Sequence, residues 1–256
     1  MNRLNYLWRL FGTGLSFSLF GIGGLVLAAT VFPAINLFVT DPVRRVALAQ
    51  RTVHRAFRAF VWFMVVIGVI RLRAIGAEIL RRDRGVLIAA NHPSLLDIVL
   101  LMSLMDRAQC VVKHEVWNNP FMRGVVKATN YVRNDDDPEK LVADCSRLLA
   151  DGNNLIIFPE GSRTVADRPL HLQRGLANVA VRSGSGVRLV TITCMPPSLR
   201  KGEKWYRIPS APLAFTVRVH ERIDPIGFCG YGPPSVAARR LTAHIGERFG
   251  DLLRDA

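Results

Sequence analysis

The chain has 256 residues, half of them hydrophobic, and carries 34 Lys and Arg against 20 Asp and Glu, a formal net charge of +14. This length suits one sizeable domain with or without an appendage, and the apolar content excludes an intrinsically disordered chain. Four cysteines are too few for a disulfide scaffold. The basic balance leaves three classes of partner open: nucleic acid, an anionic membrane, or an acidic protein or substrate.

The positive charge is concentrated in the most hydrophobic third of the chain. Residues 1–75 hold nine arginines and one aspartate, a net +8, whereas residues 76–195 hold fifteen basic and thirteen acidic side chains, a net +2. Nucleic-acid binders place basic residues on a folded face or a polar tail, whereas arginines that flank apolar runs are typical of membrane anchors. The sequence therefore favours an anionic membrane as partner and argues against nucleic acid.

The N-terminal apolar run extends from Leu10 to Thr40 without a charged residue. As one helix it would be about 46 Å long, against a hydrocarbon core of about 30 Å, so it must tilt or break. The glycines at 21–24 and Pro33 offer places to break. Because arginines lie on both sides of the run, we expect a hairpin or partial insertion from the cytoplasmic face. A cleaved signal peptide and a buried core helix are the alternatives.

A second apolar run, Ala59–Ile70, is too short to span a membrane. The arginines upstream of it, Arg51, Arg55 and Arg58, favour an interfacial helix whose stems extend toward lipid headgroups. We therefore expect membrane-anchoring helices over residues 1–75 and a separate domain over residues 76–256.

After Arg73, short apolar runs alternate with helical patterns. Compact aliphatic runs predict buried strands over Val86–Ala90, Cys110–Val112, Asn130–Val132, Leu155–Phe158 and Leu189–Thr193. Helices are predicted over Asp97–Leu104, Pro138–Ala150 (with Asp137 as N-cap) and Pro233–Asp255, and a surface loop over Pro196–Pro212. The alternation predicts an α/β fold with a mixed, mostly parallel sheet covered by helices, preceded by a hydrophobic helical membrane anchor.

A chemically distinctive motif, Asn91-His92-Pro93-Ser94-Leu95-Leu96-Asp97, follows the first predicted strand. Pro93 disfavours the α region for His92, which places the histidine in the turn before the helix. From there the imidazole can fold back over the first helical turn, where the Asp97 carboxylate would fix its tautomer and leave the other ring nitrogen free as a base. The structural alternative is a capping box between Ser94 and Asp97.

A second motif, Phe158-Pro159-Glu160-Gly161-Ser162-Arg163-Thr164, directly follows another apolar run. Pro159 ends the predicted strand, Gly161 allows close backbone approach, and the guanidinium of Arg163 can bind a phosphate in bidentate fashion. These residues predict an anion site. Taken alone, Glu160 is more often structural, and it would orient either Arg163 or the bound acceptor.

Together the two motifs resemble those of the glycerolipid acyltransferase family, and of the bacterial lysophosphatidate acyltransferases in particular. The first resembles the H-x-x-x-x-D signature and the second resembles F-P-E-G-[ST]-R, and the similarity runs in the expected order from about Val86 to Pro196. Between them, Asn130-Tyr131-Val132-Arg133 resembles a strand that ends in a phosphate-contacting arginine, and Arg123 and Lys113 also fit the family. Without that frame, each of these basic residues is better explained as a solvated surface charge.

The resemblance implies that His92 is the general base that deprotonates the acceptor hydroxyl, and that Asp97 orients it. The residues that it implies for substrate binding are Arg133, Glu160, Gly161, Ser162, Arg163, Arg123 and Lys113. It further implies an O-acyltransferase that moves a fatty acyl group from acyl-CoA or an acidic acyl-carrier protein to a lysophospholipid such as lysophosphatidate, with no cofactor, metal or acyl-enzyme. The expected location is the cytoplasmic (inner) membrane, with the active site on the cytoplasmic side.

The sequence departs from the family pattern at Thr191, where the fourth motif has a proline, so details of donor and acceptor stay open. The Lys201–Tyr206 segment resembles a subset linked to aryl-polyene or related lipid pathways. The alternatives are an acyltransferase for a non-phosphate lipid, a non-catalytic membrane-tethered lipid- or carrier-binding module, and a phospholipase or thioesterase. Neither Ser94 nor Ser162 lies in a G-x-S-x-G elbow, which argues against a serine hydrolase.

Two other features favour structural roles. The cysteines have no C-x-x-C spacing, so we expect small buried hydrophobes in a reducing compartment rather than a catalytic thiol. The run Asp135-Asp136-Asp137 has no partnering His or Glu nearby, and it predicts a solvated, helix-capping loop rather than a metal site.

Overall fold

The computed structural model describes residues 3–106, 108–134, 137–164, 170–230 and 232–254. Its strands are β1 (Ile70–Ile75), β2 (Leu87–Ala90), β3 (Ala108–Lys113), β4 (Val132–Asn134), β5 (Asn154–Ile157), β6 (Val187–Met195) and β7 (Leu213–Ile223). Its helices are α1 (Arg3–Val26), α2 (Phe32–Phe38), α3 (Pro42–Val66), α4 (Ala77–Arg82), α5 (Asp97–Leu104), α6 (His114–Asn118), α7 (Arg123–Ala128), α8 (Pro138–Ala150), α9 (Gly175–Ser183), α10 (Ile226–Cys229) and α11 (Pro234–Arg254).

The strands form a single seven-stranded sheet in the order β1-β7-β6-β2-β5-β3-β4. All neighbouring pairs are parallel except β6 and β7, which are antiparallel. Alternate residues of β2 face opposite sides: Ile88 joins the core under α3 and α5, whereas Leu87 joins the core under α8, α9 and α11. The predicted α/β fold with a mixed, mostly parallel sheet is confirmed.

The first strand lies within the segment predicted to be only an anchor. Ile70–Ile75 pairs with β7 at the edge of the sheet, so the sheet begins before residue 76. The division of the chain at residue 75 stays a prediction. Strand β4 is also displaced from Asn130–Val132, because Asn130 adopts φ 53° in the turn that precedes it.

The N-terminal helices form a hairpin. Helix α1 continues through a π-helical turn, Leu27–Val31, into α2, and the second residue of α2 is Pro33, which cannot donate a backbone hydrogen bond. Helix α3 then runs back toward the start of α1. The contact that shows this is a hydrogen bond from the indole N–H of Trp8, near the start of α1, to the carbonyl oxygen of Ile67, just after α3 (2.9 Å). The apolar run Leu10–Thr40 thus lies mostly in one arm of this hairpin, and its insertion into a membrane stays a prediction.

Helix α1 has small and polar residues on its inner face and large apolar residues on its outer face. Its buried residues are Arg9, Gly12, Thr13 and Ser16. Its exposed large apolar residues are Leu4, Leu7, Trp8, Phe11, Leu15, Leu19, Ile22, Leu25 and Val26. The helical run Arg3–Phe38 is long and apolar enough to cross a membrane by length and composition. This distribution is the reverse of that on a water-facing helix.

Candidate active site

The two sequence motifs meet at the carboxyl ends of two neighbouring parallel strands. Strands β2 and β5 pair in register, so the residues that follow Ala90 and Ile157 emerge at the same edge of the sheet. There the rings of His92 and Phe158 stack, with centroids 4.0 Å apart and planes inclined by 17°. Ligands of open α/β sheets bind at this edge.

The pairing of His92 with Asp97 and the capping contact of Ser94 occur together. Nδ1 of His92 lies 2.8 Å from Oδ2 of Asp97, and the same oxygen accepts the backbone N–H of Ser94 at 2.7 Å. Asp97 is fully buried, and its Oδ1 has no hydrogen-bond partner among the described residues. Burial raises the pKa of Asp97 above its usual value, and the hydrogen bonds from His92 and Ser94 oppose that rise.

The backbone of His92 is held by the second motif. Its N–H donates to Oε1 of Glu160 (3.0 Å) and approaches the hydroxyl of Thr164 (3.3 Å), while its carbonyl oxygen accepts the N–H of Thr164 (2.7 Å). The Thr164 hydroxyl also donates to Glu160 at 2.8 Å. Both hydrogen bonds that the Glu160 side chain accepts therefore hold the turn that contains His92, as expected if that carboxylate has a structural role.

The side chain of Asn91 fixes the same turn to the neighbouring strand. It accepts the N–H of Ile192 at 2.7 Å and donates to the carbonyl oxygen of the same residue at 2.9 Å. The end of β2 is thus tied to β6 on one side and to the second motif on the other.

His92 opens into a cavity of about 750 Å³. Its polar lining includes Ser162, Arg163, Gln173 and Lys201. Nη1 of Arg163 donates to the carbonyl oxygens of Leu199 (2.9 Å) and Arg200 (3.1 Å), and the guanidinium has further N–H groups on Nη2 and Nε. Two cationic side chains therefore border the cavity that contains the histidine.

Gly161 shapes the turn between the strand and the cationic residues. Its φ of 67° lies in the left-handed region, and its N–H closes a turn onto the carbonyl oxygen of Phe158 at 3.0 Å. A side chain at this position would be strained, which accounts for the glycine.

Two other predicted binding residues, Arg133 and Arg123, have different surroundings. The described residues that line it include neither Arg133 nor Arg123. The Arg133 guanidinium lies over the ring of Trp117, 6.0 Å from its centroid, and Arg123 is exposed at the start of α7. The side chain of Lys113 falls outside the part of the chain that the structure describes. The roles expected for these three residues stay predictions.

A second, mostly apolar cavity of about 370 Å³ adjoins the first. The lining shared by the two cavities comprises Ile98, Cys110, Val112 and Val116. The second cavity extends between the sheet domain and the helical hairpin, where Phe17, Phe20 and Phe60 line it. The cavity that contains His92 and the apolar cavity therefore have part of their walls in common.

Three of the four cysteines occupy the buried positions expected of small apolar residues. Cys110, Cys145 and Cys194 are buried, whereas Cys229 is exposed. Burial raises the pKa of the Cys110 and Cys145 thiols to about 12 and that of Cys194 to about 11, which suppresses the thiolate. Within the described ranges no three His, Cys, Asp or Glu side chains are grouped to hold a metal ion, and Asp135 and Asp136 lie outside those ranges.

Sequence reasoning did not assign roles to Thr164, Gln173 and Lys201 at this site. Thr164 is the last residue of the second motif and is placed by a turn that its hydrogen bonds define. Lys201 lies in the loop after β6, and no local sequence pattern indicates that this loop borders the site.

Comparison with known proteins agrees with this geometry. The acyltransferase family model matches residues 71–195. A 1-acyl-sn-glycerol-3-phosphate acyltransferase of Chlamydomonas reinhardtii is 30% identical over 148 residues, 56% of this chain and 43% of that protein. A lyso-ornithine lipid O-acyltransferase of Rhizobium meliloti (strain 1021) is 31% identical over 105 residues, 40% of this chain and 36% of that protein.

The fold also matches a solved structure over nearly its whole length. The 1-acyl-sn-glycerophosphate acyltransferase PlsC from Thermotoga maritima superposes with a TM-score of 0.68 at 19% identity, covering 98% of each chain. The chain is therefore similar to acyltransferases in sequence, over the residues that the family model and these relatives match. It spans less than half the length of the curated relatives that it matches.

Proposed function

We propose that the protein is a membrane-associated O-acyltransferase that transfers a fatty acyl group from a thioester donor, acyl-CoA or acyl-carrier protein, to the free hydroxyl of a lysophospholipid such as lysophosphatidate. The observation that carries this proposal is the His92–Asp97 pair at the mouth of a cavity bordered by cations. Similarity to the acyltransferase family supports the reaction class.

In the proposed reaction, Nε2 of His92 accepts the proton of the acceptor hydroxyl. The oxygen attacks the thioester carbonyl, the C–S bond breaks, and the thiolate leaves and takes the proton from His92. Asp97 stabilises the imidazolium that forms between these steps. No acyl group is attached to the protein, so a trapped covalent acyl adduct would contradict this direct transfer.

The two adjoining cavities suit the two ends of the substrates. The cavity that contains His92 offers Arg163 and Lys201 to an anionic headgroup, because charge-assisted hydrogen bonds to phosphate are short and strong. The adjoining apolar cavity offers a wall of aliphatic and aromatic side chains to a fatty acyl chain. Because the two cavities share part of their lining, the acyl chain and the acceptor headgroup would lie on either side of it.

Attachment to a bilayer is proposed from the outer face of α1. A stripe of large apolar side chains along that helix is exposed to solvent, and burying such a surface in lipid is favourable. We place the protein at the cytoplasmic (inner) membrane with the active site on the cytoplasmic side, where soluble thioester donors are made and where flanking arginines are retained. The narrower resemblance to aryl-polyene pathways stays a prediction.

A second candidate acceptor is a lyso-lipid without phosphate. One relative is named as a lyso-ornithine lipid O-acyltransferase, and the cations of the polar cavity could also bind a carboxylate. The chemistry at His92 would be the same, and only the headgroup contacts would differ.

A panel of acceptors tests both candidates. Purified protein in detergent is given a labelled acyl thioester with lysophosphatidate, other lysophospholipids or lyso-ornithine lipid, and the products are identified by mass spectrometry. Diacyl product from lysophosphatidate supports the first candidate, and product from lyso-ornithine lipid alone supports the second. Free fatty acid as the sole product would show a hydrolase instead.

A further inference from the structure

A polar cleft of about 650 Å³ lies away from the histidine site. The residues that line it are Arg51, His54, Arg55 and Arg58 of α3, Arg84 from the segment before β2, and Asp106 just after α5. Arg84 precedes β2 whereas His92 follows it, so the cleft lies at the opposite end of that strand from the proposed base. It is therefore a separate site.

The cleft has an excess of positive charge. Four arginines and one aspartate give a net +3 with His54 neutral. The aspartate is already engaged, because Oδ1 of Asp106 lies 3.3 Å from Nε2 of His54. Within the described part of the chain, Arg51, Arg55 and Arg58 make no ion pair or hydrogen bond through their side chains. Like charges held this close favour a bound anion.

Arg84 extends the site beyond the helix. Its Nη1 donates to the carbonyl oxygens of Arg81 and Asp83, both at 2.7 Å, which fixes the guanidinium at the rim of the cleft. The cleft thus joins the helical hairpin to the α/β domain.

The same face of α3 continues into exposed apolar residues. At about 100° per residue, Arg51, Arg55 and Arg58 fall within an arc of about 60° that also contains Trp62. Trp62 is 66% exposed and lies about 6 Å along the helix axis from Arg58. A basic segment beside an exposed tryptophan matches the boundary between lipid headgroups and acyl chains.

We propose that this cleft binds the phosphate of an anionic phospholipid headgroup in the bilayer. The phosphate is held between the arginines of α3 and Arg84, so the site takes one lipid in a defined position rather than a diffuse layer of charge. This inference rests on the proposed membrane attachment and not on the acyl-transfer reaction. Its outcome can therefore be read without a measurement of activity.

The first test compares two triple variants of equal net charge. Arg51→Gln/Arg55→Gln/Arg58→Gln removes the α3 cations, and Arg147→Gln/Arg239→Gln/Arg254→Gln removes exposed arginines from α8 and α11 on the other face of the sheet. Binding of the full chain to phosphatidylcholine vesicles with and without phosphatidylglycerol is measured. The cleft variant should lose about 100-fold in affinity for the anionic vesicles, from about fivefold per arginine, and the control should lose only a few-fold.

The second test distinguishes a defined site from diffuse attraction. Arg84→Gln is compared with Arg82→Gln, an exposed arginine two residues away that does not line the cleft. Only Arg84→Gln should weaken binding to the anionic vesicles, by about fivefold. Equal effects of the two variants, or equal losses in the two triple variants, would overturn the proposal. So would unchanged vesicle binding combined with a raised KM for acyl-carrier protein, which would assign the cleft to the carrier.

Acyl transfer in neutral detergent separates this proposal from the proposed function. The Arg84→Gln variant should transfer acyl groups in such micelles at the wild-type rate. If the wild-type protein binds anionic vesicles through the cleft but transfers nothing, the reaction assignment fails and the lipid site stands.

Discussion

His92 is fixed through both its side chain and its backbone. Its ring is paired with Asp97 and stacked on Phe158, and its peptide groups bind Glu160 and Thr164. The direction of Nε2 is therefore set before a substrate binds, as general-base catalysis requires.

Asp97→Asn should lower the acyl-transfer rate without lowering stability at neutral pH. The amide oxygen can still accept from His92 and Ser94, while the buried negative charge is removed. Because burial raises the pKa of Asp97, the stability associated with this carboxyl is present at acid pH and is lost as pH rises through the folded-state pKa. Thermal melts should show the variant at least as stable as the wild type at neutral pH, with a difference that shrinks on acidification. The acyl-transfer rate should fall by about 100-fold or more; a variant that is less stable yet fully active would contradict this role.

Thr164→Val tests the hydroxyl that braces Glu160. The substitution preserves shape but removes a hydrogen bond to a carboxylate, and we expect it to lower the free energy of unfolding by about 1.5–3 kcal/mol. Because the histidine turn loosens, kcat should fall while the acceptor KM changes little. Thr164→Ser should restore kcat, and failure of that rescue would show that the hydroxyl is not the positioning group.

Arg163→Ala should act mainly on acceptor binding. Loss of a charge-assisted contact in the cavity should raise the KM for lysophosphatidate by about 10-fold or more, with a smaller change in kcat. Arg133→Ala, predicted from the sequence to act in the same way, provides the comparison because Arg133 does not line the described cavity. An unchanged KM in both variants would point to an acceptor without phosphate.

The sequence was sufficient to predict that His92 and Asp97 pair, but not the contacts that support the pair. Whether the side chains of His92 and Asp97 can pair depends on their local spacing around Pro93, so the pairing can be predicted from the sequence. Lys201 reaches the cavity through the loop after β6, and the Glu160–Thr164 brace depends on which strands are neighbours. Contacts of that kind arise from tertiary topology, which local patterns do not encode.

Among the elements, helices with clear end signals were predicted accurately, whereas the edge strand β1 and the internal strand β7 were not predicted. Helix α8 begins at Pro138 as predicted, with Oδ1 of Asp137 accepting the N–H groups of Glu139 and Lys140. Strand β1 escaped prediction because Arg71 and Arg73 interrupt its apolar residues. Such alternation is suited to the edge of a sheet, where exposed charges discourage further pairing.

Close packing of α7 against the hairpin gives an element-scale prediction. A Cβ on Gly124 would lie 2.3 Å from Cβ of Ala28, so Gly124→Val should force the elements apart and destabilise the protein by about 1–3 kcal/mol. Gly23→Ala is the control, because a Cβ there meets no atom within 4 Å and alanine favours a helix. Melting temperatures in detergent should fall for the first variant and stay level or rise for the second; equal melting would show that α7 does not pack on the hairpin.

At the scale of the whole molecule, the positive charge and the exposed apolar surface are concentrated in a different part of the chain from His92. The nearly neutral segment 76–195 contains His92 and, apart from Lys201, the described residues that line its cavity, whereas residues 1–75 combine a net +8 with the outward apolar stripe of α1. This arrangement supports a protein that rests on an anionic bilayer and presents its site to a lipid acceptor. The net charge of +14 is thus explained by a local surface rather than by a uniformly basic one.

Acyl transfer by purified wild-type and His92→Ala proteins tests the central claim most directly. Both are incubated in the same detergent with lysophosphatidate and a labelled acyl thioester, diacyl product is measured by mass spectrometry, and circular dichroism confirms that the variant folds. The wild type should form diacyl product, and His92→Ala should form it at least about 100-fold more slowly. If the folded variant retained more than about a tenth of wild-type transfer, His92 would not be the base.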